Sequence, residues 1–307
     1  MDIVPYAGWS RCAKLTLGGL ELIVTLDVGP RVIHFGFAGG ENEFVVHEKT
    51  AGRTGDQEFH SYGGHRFWMA PEDPLKIGIP DNGPVEFREE DGWTVFVQAE
   101  DKWHIQKEIW IRGDSGGGVL VHHRLHNRGA YPVELALWGL TQMATGGELF
   151  IPQAPFVPWT EKLLPARPLT LWGYTDMSDP RYTWGESVIR LRQDGSLGPT
   201  KFGALVQQGY AAYANRGRVF LKRFGFEEGA VYPDFNSNFE SYTRQDMLEV
   251  ESLGPMLTVP PGAWRGHDET WYLIDGLTPP STDKDCAGWL ASLAAPRPFH
   301  EFTQKLA

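Results

Sequence analysis

The chain has 307 residues, enough for one large domain or two of ordinary size, and 39 acidic against 28 basic side chains give a formal net charge of −11. That balance argues against a nucleic-acid partner, which needs a basic face to displace counterions, and no lysine-rich amphipathic stretch suits a membrane surface. No run approaches the roughly 18 apolar residues of a membrane span, the acidic start is unlike a signal peptide, and Cys12 and Cys286 read as two free thiols, so the expected compartment is the cytoplasm.

Twelve tryptophans and 36 glycines accompany short runs of alternating polarity, the composition of strands and turns. In chain order the first runs are "ELIVTL" (21–26), "RVIHFGF" (31–37) and "EFVVH" (43–47). Arg31 follows a Gly-Pro turn into its strand and is a candidate ligand-binding residue. Next comes "HSYGGHRFWMAPED" (60–73). Gly63 and Gly64 permit close backbone approach ahead of a strand on which His65 and Phe67 share one face and Arg66 and Trp68 the other. His60 and His65 are candidate site residues. Arg66 beside Trp68 has the chemistry of a clamp for hydroxyls, a carboxylate or a phosphate, and equally of a surface cation–π pair.

"GWTVFVQAE" (92–100) leads into "WHIQKEIWIR" (103–112), where Trp103, Ile105, Ile109 and Ile111 share a face, and then come "VLVHHRLHN" (119–127) and "PVELALWGLTQMA" (132–144). His122 and His126 share a strand face, but strand rise sets them about 13 Å apart, and no helical His-Glu-x-x-His is present. No metal and no cofactor are expected. A proline-rich stretch over 151–184 reads as a long, ordered excursion of the kind that is usually functional. The strand "RVFLKRFGF" (218–226) precedes a loop over 232–243 that offers Asp234, Asn238 and Glu240 as hydrogen-bonding groups or plain turn residues.

The strands "MLEVESL" (247–253), "MLTVP" (256–260) and "ETWYLID" (269–275) follow. Glu249 and Glu251 are two apart, so both point to one face. Only 283–295 has helical character, and Pro296 and Pro298 end it. Turn signals every 8–12 residues predict an all-β sandwich or barrel: one large domain over 1–280, with a C-terminal helix and tail over 281–307 packed on it.

Three segments, taken in order, carry a family resemblance: "LDVGPRVIHFGFAGGENEF", "YGGHRFWMAPED" and "MLEVESLGPMLTVPPGAWRGHDETWYLID". Over residues 10–276 the sequence resembles the galactose mutarotase-like (aldose 1-epimerase-like) β-sandwich superfamily, nearest to a branch without an assigned activity. The resemblance implies a large antiparallel β-super-sandwich whose concave face holds a saccharide. In the enzymes of that superfamily a glutamate base takes the anomeric proton while a histidine acid serves the ring oxygen. Glu251 stands at the distance from Pro261-Gly262 that the resemblance assigns to the base, with Glu249 as second candidate.

Where the resemblance expects the acid histidine this chain has Trp138, as a stacking platform or a core indole. His65 and His60 are then the nearest substitutes. The resulting reading is an aldose mutarotase- or epimerase-like enzyme acting on a saccharide, as a monomer or homodimer. A non-catalytic carbohydrate-binding protein is the first alternative. A glycoside hydrolase or lyase is the second, because side chains two apart on a strand start near 7 Å, within the roughly 6.5–9.5 Å of an inverting carboxyl pair.

Overall fold

The computed structural model describes residues 1–73 and 79–302. Two antiparallel sheets stack face to face. The eleven-stranded sheet runs in the order Asp2–Tyr6, Trp9–Leu17, Leu20–Thr25, Val32–Phe37, Gly64–Ala70, Val133–Met143, Met247–Leu253, Phe239–Arg244, Thr200–Ala204 and Leu169–Leu171, with Leu257–Val259 paired off Val133–Met143. The ten-stranded sheet runs Tyr182–Trp184, Val188–Arg192, Glu148–Pro152, Tyr210–Asn215, Arg218–Phe224, Trp264–Asp275, Val119–Asn127, Ile105–Gly113, Trp93–Gln98 and Val85–Glu90. This is the all-β architecture that the turn spacing predicts, in the super-sandwich form that the family resemblance implies.

The inward halves of the alternating patterns build the core. Leu22, Phe35, Phe67, Leu137, Phe202 and Val250 of the first sheet meet Ile109, Val121, Leu149, Phe220 and Trp271 of the second. Each such side chain, once buried, contributes about 1.5–3 kcal/mol, which makes this layer the main stabilising term. The helix Asp283–Ala294 starts where the Thr282 hydroxyl accepts the Asp285 N–H at 3.2 Å. It buries Cys286, Leu290 and Leu293 against Phe150, Val188 and Leu221 of the ten-stranded sheet. Both cysteines are free and buried. Among the described residues no helix is long and apolar enough to cross a membrane.

The structure departs from the sequence reading in four places. "EFVVH" forms isolated bridges only, Phe44 to Met143 and Val46 to Gly63. Gly63 is required there: its φ is +98°, and a Cβ would fall 2.1 Å from the Val45 carbonyl oxygen. The excursion over 151–184 returns to both sheets through Leu169–Leu171 and Tyr182–Trp184. The second half of the 232–243 loop is a strand, Phe239–Arg244, paired with Met247–Leu253. Trp103 precedes its strand and is largely exposed, so it does not share the buried face of Ile105. Residues 303–307 of the expected tail lie outside the described residues.

Candidate active site

On the outward face of the eleven-stranded sheet, strand register sets Arg66, Leu140, Glu251 and Glu240 in one row across four neighbouring strands. Trp68 and Trp138 are partners in the row beside it. Like charges directly opposite each other on adjacent strands repel, and Glu251 and Glu240 are such a pair. The Lys201 ammonium compensates them, 2.7 Å from Glu240 Oε2 and 3.8 Å from Glu251 Oε2. The same ammonium lies 4.7 Å from the ring centre of Trp138 and 4.5 Å from that of Trp172. Trp138 Nε1 donates to Glu251 Oε2 at 2.9 Å, while Glu251 Oε1 has no hydrogen-bond partner among the described residues.

Burial pushes the Glu251 carboxyl well above the usual carboxylate range; Lys201 opposes this, and Glu249 and Glu240 reinforce it. Burial likewise raises Glu240 to about 8, against the pull of Lys201. Burial alone would lower the Lys201 pKa, but the two carboxyls more than reverse that and raise it. With two carboxyls around one ammonium, the cluster holds a proton at neutral pH.

Glu249 takes a hydrogen bond from Gln142 Nε2 at 2.7 Å, and Gln142 Oε1 in turn accepts from His47 Nε2 at 3.0 Å. This chain leads to a cavity of about 500 Å³ lined by His47, Phe59, His60, Ser61, Arg244 and Asp246. Its size suits a small ligand. His60 Nε2 meets Asp56 Oδ2 at 2.6 Å, and His47 Nδ1 lies 3.3 Å from Asp246 Oδ2. Burial lowers the pKa of His47, with Asp246 opposing. The Arg66 guanidinium lies over the rings of both Phe59 (5.1 Å) and Trp68 (4.4 Å), which touch each other edge to face, and its Nε and Nη1 have no hydrogen-bond partner among the described residues.

Other expected site residues sit elsewhere. His65 points inward, between the sheets, because it shares the core-facing parity of Phe67. It therefore cannot act on the Arg66 face. Its Nε2 meets His123 Nε2 at 2.7 Å and its Nδ1 meets Thr141 Oγ1 at 2.8 Å. His123 Nδ1 bonds the His267 carbonyl at 2.9 Å, and a carbonyl only accepts. The proton of neutral His123 is thus on Nδ1, so His65 donates from Nε2 and receives the Thr141 hydroxyl at Nδ1. Burial holds His65 well below the ordinary histidine value, His123 at about 4, and His267 below its usual range.

Behind these rings Lys222 Nζ donates to Glu269 Oε1 (2.9 Å) and to the carbonyls of Val250 (2.9 Å) and Gly139 (3.2 Å). Trp271 Nε1 and Ser252 Oγ donate to the same carboxylate. His65, His123 and Glu269 bring their ligand atoms within 4.8 Å of one another, the spacing of a metal site. Those atoms are committed to hydrogen bonds, and the Lys222 ammonium already stands where a cation would balance Glu269.

Arg31 is sealed inside and gives Nη2 to both oxygens of Asp81 at 2.9 and 2.8 Å, so it anchors a loop and leaves the outward face to Arg66. Asn238 clamps the Val206 backbone, accepting its N–H at 2.6 Å and donating to its carbonyl at 3.1 Å, and it is fully buried, so its amide serves the backbone and not the sheet face. Asp234 acts on the cluster through its charge, adding to the rise of the Glu240 pKa. Trp138 is buried beneath Lys201, which makes it a hydrogen-bond donor and not an open stacking platform. Lys201, Gln142 and His47 belong to the site but escape the sequence reading. Lys201 alternates with core residues in "TKFGA", a pattern that marks an outward side chain yet gives no partner.

Neither a protein-family model nor a curated protein sequence matches the chain. Solved structures do. Slr1438 from Synechocystis sp. PCC 6803 matches with a TM-score of 0.57 at 11% identity, over 90% of this chain and 100% of that one. A galactose mutarotase-like protein from Lactobacillus casei matches with a TM-score of 0.53 at 11% identity, over 86% and 100% of the two chains. A galactose mutarotase related enzyme from Lactobacillus acidophilus gives 0.53 at 8% identity, over 89% and 100%. At such identities the likeness is one of architecture: the chain has the galactose mutarotase-like fold.

Proposed function

We propose that the chain is a mutarotase-like enzyme that interconverts the anomers of a saccharide held against the outward face of the eleven-stranded sheet. The observation that carries this reading is the Glu251–Lys201–Glu240 cluster, a carboxyl pair with raised pKa values sharing one ammonium, on a strand whose Glu249 leads through Gln142 and His47 to the histidine-lined cavity. Anomer exchange needs a group that removes the proton of the C1 hydroxyl while another protonates the ring oxygen. The C1–O5 bond breaks as the aldehyde forms, and closure on the other face reverses both transfers. A carboxyl pair holding one proton can accept one and release one. His47 and His60 in the cavity wall are further hydrogen-bonding groups, and the buried Nε and Nη1 of Arg66 are without a hydrogen-bond partner among the described residues, beside the Phe59 ring that lines the same cavity.

Proton NMR of anomer exchange across free aldoses, uronates and sugar phosphates tests this. Exchange above the spontaneous rate is expected, with Glu251→Gln slower by about 10²–10⁴-fold. An unchanged rate in that variant would remove Glu251 from the chemistry. A second expectation concerns Trp138→Phe. The lost N–H favours the ionised form of Glu251, so the limb of the pH–rate profile that Glu251 sets moves to higher pH.

A second reading, saccharide binding without turnover, is favoured by one observation. His65 lies behind the sheet, which leaves the row around Glu251 without an imidazole. Sugar binding by calorimetry together with no accelerated exchange would select it.

A further inference from the structure

The chain between Glu148–Pro152 and Leu169–Leu171 leaves the sheets as a loop closed at its base. Arg167 Nη1 donates to the Glu186 carbonyl at 2.8 Å, and Gln153, Arg167, Leu169 and Met177 line one cavity of about 170 Å³ there. At its tip the Pro158 carbonyl accepts the N–H groups of Glu161 and Lys162. The loop is thus ordered by its own hydrogen bonds, yet its large apolar side chains face water: Phe156 is 66% exposed, Trp159 76%, Leu163 83% and Leu164 76%.

The neighbouring edge of the eleven-stranded sheet repeats the pattern. Leu169–Leu171 is the last strand, with no strand on its outer side among the described residues. Thr170 Oγ1 donates to the Asp234 carbonyl at 2.9 Å and ties this edge to the turn Pro233–Asn236. In that turn Asp234, Phe235 and Asn236 have φ of 49°, 58° and 75°. Left-handed backbone costs about 1–2 kcal/mol for each non-glycine residue. Here it holds Phe235 89% exposed. Strain that lifts a phenylalanine into water does nothing for the isolated fold, and stored strain of this kind collects at functional surfaces.

Loop and turn together carry five large apolar side chains, Phe156, Trp159, Leu163, Leu164 and Phe235, exposed over about two thirds of their surface or more; at roughly 150–250 Å² for each whole aromatic, their summed exposure is on the order of the 800 Å² that one partner contributes to a standard interface. We propose that this face is a homodimer interface, on which a second copy of the chain packs the same loop and the same Phe235 turn about a two-fold axis. A second copy fits because a two-fold sets the two unpaired Leu169–Leu171 edges antiparallel, the arrangement in which each covers the other. The area needed is present on one chain without any added segment. The proposal does not depend on the catalytic reading, since none of the interface side chains belongs to the carboxyl cluster.

Sedimentation equilibrium of the full chain from about 1 to about 100 µM tests it. A dimer is expected, with the variant Leu163→Asp/Leu164→Asp weakening its dissociation constant at least about a hundredfold. Because both leucines are solvent-exposed, circular dichroism and the melting temperature of the variant's monomer should match wild type. If that variant folds poorly, Trp159→Ser/Phe235→Ser gives the same reading from other parts of the face. A wild-type chain that stays monomeric at about 100 µM overturns the proposal, and so do folded variants that dimerise as tightly as wild type.

Discussion

Lys222→Met is expected to lower stability by about 3–5 kcal/mol, one of the largest single-residue effects in the molecule. Lys222 and Glu269 are both fully buried between the sheets, and the ammonium spends its three protons on one carboxylate oxygen and two carbonyls. Removing it strands an ionised Glu269 in the core and leaves the Gly139 and Val250 carbonyls without this donor. Burial alone would raise the Glu269 pKa, but Lys222 more than reverses this and holds it well below the usual range, so the carboxylate keeps its charge when the fold forms. Adding Glu269→Gln to Lys222→Met should recover part of the loss, because the neutral amide oxygen still accepts from Trp271 and the amide NH2 can donate to the Ser252 hydroxyl. Urea unfolding of both variants measures this. A double variant no more stable than Lys222→Met would mean that the stranded charge is not what the single substitution costs.

The second large effect is on acid stability. His123 titrates near 4 in the folded chain and near 6.5 when unfolded, so in that window the unfolded state binds the extra proton. The stability linked to this depressed value is complete above about pH 6.5 and declines as pH falls toward about 4, a loss of about 3 kcal/mol for this fully buried ring. His65 and His267 are depressed by the same burial and act in the same direction over the same range. In a Glu240→Gln/Glu251→Gln variant, which lacks the opposite trend that those two raised carboxyls impose, denaturant midpoints should therefore fall between about pH 7 and about pH 5. A flat profile there would show that these rings are not held neutral.

The fold was legible because its signals are local. Alternation and turn spacing need only neighbouring residues, and they are enough to set Glu249 with Glu251 and Arg66 with Trp68. They do not say which side of a strand faces the second sheet when both sides are buried, as on Gly64–Ala70, and this is why His65 reads as a surface acid from sequence. Partnership is also invisible locally. The His65–His123 contact spans 58 residues and the Lys222–Glu269 pair 47, and nothing in either segment names the other. Asn238 and Arg31 look like ligand-binding side chains for the same reason: their backbone and carboxylate partners come from elsewhere in the chain.

The polar seam between the sheets has one more consequence. His65 adjoins Arg66, Gly139 adjoins Trp138, Thr141 adjoins Gln142, and Ser252 adjoins Glu251. Each of these four seam residues is thus the reverse side of a residue on the outward face. A Cβ on Gly139 would lie 2.2 Å from Glu269 Oε1, so the strand carrying Trp138 approaches this seam as closely as it does only because that position has no side chain. The outward groups therefore inherit their spacing from a rigid backing plate of charge and hydrogen bonds that no ligand ever touches. The preorganisation of the face is set on the side of the sheet that a survey of its surface would never visit.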